Sequence, residues 1–311
     1  MKIKLTNVLT ILIASAIGLV LGVLLQKYYS SGNILDILGG DDPSNLLRNA
    51  TGIREGNVPE EYKGKLQILI LAGQSNMSGR GDLPAQGTTE DPRIYVFGND
   101  YHWRLAVEPI DDAANQVDKV SEALDAGFGP APSFAATVLE RCPDMVIGLI
   151  PCATGNSSIY EWRKSWTDDT LYGSCLKRTR AASAKGKVAG LLFFQGEADA
   201  LDPKQYRKRT LLPDQWEENL LLFVRNWRTD LGLPELPVVF AEIGTTSAPD
   251  KFPNWAIVQE QQRGVQLPFV AMIPTQDLAL KDEVHFTTQS YQMIGQRFAE
   301  AYLDILEEQQ R

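Results

Sequence analysis

The sequence predicts a three-layer α/β/α fold on a doubly wound parallel sheet, preceded by an N-terminal transmembrane helix. Three observations carry this expectation. Apolar runs alternate with helical patterns from Leu66 to about Leu306, without internal repeats or a second composition regime. Those runs are continuous rather than alternating, as in strands covered on both faces. Ahead of them, Val8 to Leu25 forms 18 consecutive residues without a charge, long enough to span a bilayer.

That first run is preceded by Lys2 and Lys4 and ends in Gln26-Lys27-Tyr28-Tyr29, without a small-x-small cleavage site. A secretory signal has a shorter apolar core, so residues 1–29 read as a cytoplasmic N-terminus and an uncleaved signal-anchor. The basic N-terminus is kept inside by the positive-inside preference, and the rest of the chain then lies on the extracytoplasmic side. Secretion after signal cleavage is the alternative. Residues 30–65, rich in Gly, Asp, Asn and Pro, read as a tether, with a glycosylation sequon at Asn49-Ala50-Thr51. Residues 66–308 form the domain.

Within it, candidate strands are Leu66 to Leu71, Arg93 to Phe97, Met145 to Ile150, Val188 to Phe194, Val238 to Ile243 and Phe269 to Ile273. Helical patterns lie near Ser133 to Arg141, Tyr172 to Lys185, Pro213 to Leu231, Trp255 to Gln266 and Thr288 to Leu306. In the third, Trp216, Leu220, Val224, Trp227 and Leu231 recur at helical spacing, with Pro213 at its start and Gly232 at its end. Those tryptophans belong to the core. In such a fold, ligands bind beyond the carboxyl ends of the strands.

Composition narrows the chemistry. Net charge is −9 overall; residues 1 to 30 hold three Lys and no acid, so the remainder carries 27 basic against 39 acidic residues, which argues against nucleic acid as a partner. With two His, three isolated Cys and no CxxC or HExxH, no metal site is expected, and there is no calcium-loop or phosphate-loop spacing. In an exported domain Cys142, Cys152 and Cys175 allow one disulfide and one free thiol, with three possible pairings; three buried thiols are the alternative.

Four loops carry polar groups that a core does not need. Gly73-Gln74-Ser75-Asn76 follows the first strand, Ala153-Thr154-Gly155-Asn156-Ser157 the third, Gln195-Gly196-Glu197-Ala198-Asp199 the fourth, and Asp282-Glu283-Val284-His285 precedes the last helix. Serine is a weak nucleophile until an imidazole takes its proton, and the imidazole needs a carboxylate to fix its tautomer. His285 can serve Ser75, and Asp282, three residues earlier, can reach its other nitrogen; the alternative is that both cap the final helix. Backbone N–H groups of Ser75 and near Gly155, with the Gln195 amide, can form an oxyanion hole. The lipase pattern GxSxG fails because Met77 replaces its second Gly. His102 has no carboxylate at useful spacing and reads as a rim residue.

The segments GQSNMSGRG (Gly73 to Gly81), CATGNSSIYEW (Cys152 to Trp162), FFQGEAD (Phe193 to Asp199) and DEVHF (Asp282 to Phe286) resemble the blocks of SGNH-type carbohydrate esterases, in the sialate O-acetylesterase-like and acetylxylan esterase group. The resemblance implies Ser75 as nucleophile, His285 as base, Asp282 as its carboxylate partner with Glu197 as a rival or additional acid, and Gln195 as an oxyanion donor. This family usually has Gly-Gly-Thr where Gly155-Asn156-Ser157 stands, so Asn156 replaces a glycine; Asn tolerates left-handed backbone, which keeps the loop shape feasible.

The expected activity is removal of O-acetyl or similar short acyl groups from a carbohydrate through an acyl-serine intermediate, with no cofactor. Gln74, Asn76, Arg80, Tyr160 and Trp162 are the candidate substrate-binding residues, Trp162 alternatively packing in the core. The acidic balance favours neutral acylated glycans. Two rival readings are a membrane-tethered, non-catalytic glycan-binding module on an esterase scaffold and an esterase of lipid or peptide acyl groups.

Overall fold

The computed structural model describes residues 58–85, 90–118, 120, 125–207 and 209–311. The expected membrane segment, and the expected tether up to residue 57, lie outside them. Among the described residues no helix is long and apolar enough to cross a membrane.

Seven strands form one sheet in the order β3-β2-β4-β1-β5-β6-β7. They are β1 (Leu66–Gly73), β2 (Ile94–Phe97), β3 (Trp103–Leu105), β4 (Val146–Pro151), β5 (Gly186–Phe194), β6 (Val238–Ala241) and β7 (Val270–Ile273). Every pairing is parallel except β2 with β3. The six expected strands are present to within a few residues at their ends; β3 is an addition at the sheet edge, where three residues carry too short a pattern to read.

Alternate residues of β1 enter two separate cores. Leu66, Ile68, Ile70 and Ala72 join the cluster containing Trp162, Tyr172, Phe223 and Trp227, whereas Leu69 and Leu71 join the one containing Phe134, Phe298 and Tyr302. This is why the run is continuously apolar: both faces of the strand are covered. The first core lies under α3 (Leu171–Ala182), α4 (Trp216–Leu231) and α5 (Trp255–Gly264), the second under α2 (Ala131–Arg141) and α6 (Thr288–Gln309). In α4, Trp216, Leu220, Phe223, Val224 and Trp227 are buried on one face, and Gly232 ends the helix in left-handed geometry with its N–H on the carbonyls of Arg228 and Thr229. Pro213 stands one step earlier, in a 3₁₀ turn before the helix.

The chain leaves β1 toward β2 on one side and, after β4, crosses to β5 on the other, so the direction of winding reverses around β1. Ligands gather at such a reversal, beyond the carboxyl ends of the strands. Cys152, just past β4, is disulfide-bonded to Cys175 in α3, with 5.5 Å between their Cα atoms. That settles the pairing among the three possibilities, with Cys142 free.

Candidate active site

The turn after β1 sets the geometry. At Gly73, with φ +137°, a Cβ would stand 2.1 Å from the Phe194 carbonyl oxygen, so only glycine lets β1 and β5 approach this closely at their ends. The Gln74 N–H donates to that same carbonyl at 2.8 Å, and its own carbonyl accepts from Met77 and Ser78. This starts a four-residue helix, α1 (Ser75–Ser78), with Ser75 in its first position.

The Ser75 hydroxyl lies 2.9 Å from His285 Nε2, and His285 Nδ1 lies 2.8 Å from Asp282 Oδ2. The other carboxylate oxygen of Asp282 accepts the N–H of Val284 at 3.0 Å and of His285 at 2.9 Å, so one tight turn fixes acid and base together. Burial pushes the Asp282 carboxyl up, but these N–H groups and the His285 ring outweigh it and hold it below its ordinary range. An ionised Asp282 draws the ring proton to Nδ1 and leaves Nε2 free to accept from Ser75. The final helix is capped by Thr287, whose hydroxyl accepts the Ser290 N–H at 3.2 Å, so His285 and Asp282 are not used as caps.

Several expected residues stand elsewhere. Glu197 does not touch His285: it is 2% exposed, one of its oxygens accepts from the Asn76 amide, and the other has no partner among the described residues. Burial lifts its carboxyl to about 7, against the pull of the Asn76 bond. Gln195 cannot serve the oxyanion hole through its side chain, because both amide hydrogens are committed, to the Ser157 carbonyl at 2.9 Å and Asp199 at 2.8 Å. Its oxygen accepts from the Trp216 indole at 2.8 Å, which makes it a buried brace. Asn76 is fully buried, donating also to the Val284 carbonyl at 3.0 Å and accepting from the Tyr291 hydroxyl at 2.6 Å; it fastens the nucleophile's turn to the base's turn and is not open to substrate.

Trp162 is also buried, its indole donating to the Ser157 hydroxyl at 3.1 Å while its ring stands edge-on to Phe193 and Phe223, so it packs the core. Arg80 is ion-paired with Asp125 at 2.8 Å and donates to Ser78 and the Gly79 carbonyl; its guanidinium stands against Gly155 and is not among the residues that line the cleft. Tyr160 is exposed but lines a neighbouring hollow rather than the cleft that opens over Ser75.

That cleft has a volume of about 360 Å³. Gln74, Ser75, Asn156 and His285 line its polar side, and Ala198, Leu201 and Phe252 give it an apolar wall. Asn156 is in left-handed geometry, φ 59°, the conformation that allows it in the place of a glycine. Among the described residues, neither the Ser75 N–H nor the N–H groups of Gly155 and Asn156 meet a protein acceptor. Gln74 takes the Ala198 N–H on its side-chain oxygen at 3.2 Å, which orients its amide nitrogen away from that contact. Glu283, from the Asp282–His285 loop, also lines the cleft, as do Leu201, Tyr206, Lys251 and Phe252, which were missed in the sequence because they sit on long connections with no motif that only folding brings together. Among the described residues no group of three or more His, Cys, Asp or Glu side chains is placed to hold a metal ion.

A family model described as carbohydrate esterase, sialic acid-specific acetylesterase, matches residues 65–304. A probable carbohydrate esterase of Arabidopsis thaliana is 32% identical over 257 residues, spanning 76% of this chain and 90% of that protein. The X-ray structure of that Arabidopsis protein superposes with a TM-score of 0.65 at 30% identity, covering 77% of this chain and 98% of the other. The crystal structure of NanS gives a TM-score of 0.60 over 79% of this chain and 99% of the other; at 20% identity that likeness is one of fold.

Proposed function

The chain belongs to the family of carbohydrate esterases described as sialic acid-specific acetylesterases and is a carboxylic ester hydrolase, and from that premise we propose that it removes O-acetyl groups from neutral sugars through an acyl-Ser75 intermediate. The observation that carries this reading is the unbroken chain Ser75–His285–Asp282, with bonds of 2.9 and 2.8 Å.

In the proposed sequence His285 Nε2 takes the Ser75 proton as Oγ attacks the acetyl carbonyl. Negative charge then grows on the carbonyl oxygen. Ser75 and Asn156 line the cleft where that charge appears, their N–H groups and that of the adjoining Gly155 meet no acceptor among the described residues, and the Gln74 amide would serve in place of Gln195. Loss of one such donor costs on the order of 3 kcal/mol in barrier height. His285 returns the proton to the departing sugar oxygen, and water, activated by the same nitrogen, releases acetate. Ala198, Leu201 and Phe252 offer the methyl group an apolar surface.

Charge supports a neutral sugar. Among the described residues lining the cleft, Lys251 is the one Lys or Arg and it is ion-paired with Glu283, while Asp282 and Glu197 add further carboxyls, so an anionic sugar meets no unpaired Lys or Arg among them. Nothing in this geometry favours the non-catalytic module or a lipid or peptide acyl substrate.

Replacing Ser75 with Ala in the full-length chain is expected to lower turnover of p-nitrophenyl acetate, and acetate release from acetylated xylo-oligosaccharides, by at least about 10³-fold. Retention of either activity defeats the acyl-Ser75 mechanism. Faster deacetylation of 9-O-acetylated sialic acid than of neutral acetylated sugars defeats the charge argument alone.

A further inference from the structure

Beside the cleft lies a second hollow of about 420 Å³, lined among others by Thr154, Tyr160, Arg163, Lys164, Asp169 and Thr170. We propose that it is a second carbohydrate subsite, holding further units of a neutral oligosaccharide whose acetylated unit occupies the Ser75 cleft. The inference rests on the carbohydrate esterase reading above for the class of ligand, and on four observations for the site.

The aromatic rings here are on the outside. Tyr160, in the lining, is 41% exposed, and Trp166, one residue beyond the lining residue Ser165, is 67% exposed, whereas Trp103, Trp162, Trp216 and Trp227 are 9% or less. An exposed aromatic ring suits the apolar face of a sugar, and tyrosine and tryptophan are the side chains that combine a broad apolar body with a polar tip.

Both rings are held in place. The Arg163 guanidinium lies 4.4 Å from the Tyr160 ring centre and donates to Asn219 at 3.0 Å; the Lys164 ammonium lies 4.1 Å from the Trp166 ring centre and pairs with Asp230 at 2.7 Å. Tyr160 sits on a 3₁₀ turn closed by Ser158 and Glu161 and fixed to Asp199 through the Ile159 N–H at 2.7 Å. A surface already ordered loses little entropy when a ligand settles on it.

The hollow also has a balanced charge. Arg163 and Lys164 are matched by Glu161 and Asp169, so a neutral ligand meets no net field. Finally, the two hollows share one loop: Asn156 lines the cleft and Thr154 the hollow, and only Gly155 stands between them, at most about 7 Å of chain. Arg209 bridges this loop to the turn, donating to the Asn156 carbonyl and lying 3.7 Å from Glu161.

The test is binding of unacetylated xylohexaose and cellohexaose to the full-length Ser75→Ala chain, followed by calorimetry and by tryptophan fluorescence. At least one hexasaccharide is expected to bind about tenfold or more tightly than xylose or glucose. Tyr160→Ala and Trp166→Ala, each in that background, are expected to weaken it about tenfold, which is 1.4 kcal/mol. Tyr160→Phe and Trp166→Phe keep the ring and are expected to retain binding. No binding of either hexasaccharide, binding that ignores both Ala variants, or tighter binding of a sialylated or sulfated oligosaccharide overturns the proposal. Because this readout needs no turnover, loss of the esterase reading and loss of the subsite register in different measurements.

Discussion

Asp282 shows what one side chain can fix. It accepts three hydrogen bonds from its own turn, two from backbone N–H groups and one from the ring it orients. Asp282→Asn is expected to leave the fold intact and to lower kcat for p-nitrophenyl acetate on the order of 10²- to 10⁴-fold with little change in KM, through the wrong tautomer of His285. A variant with unchanged kcat removes Asp282 from the mechanism. This pair was legible in the sequence because three residues of spacing suffice to close it. The place of Gln195 was not, since its amide is claimed by Ser157 and Asp199 and its oxygen by Trp216, partners that no local pattern announces. Glu197 misled for the same reason: it lies in the cleft wall, yet its bond goes to Asn76.

At the scale of elements, the strand runs and amphipathic helices were legible because burial on both faces and one-sided burial leave different periods in a sequence. What escaped was short. β3 has three residues and α1 four, too few for any period, and α1 owes its place to the close approach of β1 and β5 at Gly73. The disulfide was readable only as a set of possibilities. It joins the start of the Ala153–Ser158 loop to the middle of α3 across 23 residues of chain, and a closed loop of that length stabilises by about 3 kcal/mol. Cys175→Ser, compared with Cys142→Ser, is therefore expected to lower the midpoint of thermal unfolding by several degrees, while the Cys142 variant changes it little. Equal midpoints contradict the role given to the bond.

Over the whole molecule, buried acids set an unusual pH dependence. Burial raises Glu108 to about 8, Glu197 to about 7, and Asp111 and Asp199 to about 6. In the unfolded chain such groups release their protons near pH 4. Between that pH and about 8 the folded state retains protons that the unfolded state has lost, so stability falls as pH rises. Asp282 and Asp91, held below their ordinary range, act in the opposite sense, but only at lower pH. Thermal unfolding is thus expected to occur at a lower temperature at pH 8 than at pH 5, by at least several degrees. Glu197→Gln removes one titrating group, so the difference between variant and parent should widen in the variant's favour as pH rises; a midpoint that climbs from pH 5 to pH 8 contradicts the account. None of these acids was singled out by composition, because the balance of −9 records charges without recording which of them are buried.

The base and its acid travel together on four consecutive residues between β7 and α6, while the nucleophile belongs to the sheet. The links from Asn76 to the Val284 carbonyl and from Lys281 to the Arg80 carbonyl register one against the other. An insertion or deletion between β7 and Asp282 would move the imidazole and carboxylate as a single cartridge, preserving their mutual geometry while spoiling their aim at Ser75. Length changes there are expected to lower the rate without altering the pH at which activity appears, so the machine fails by misalignment rather than by losing its proton chemistry.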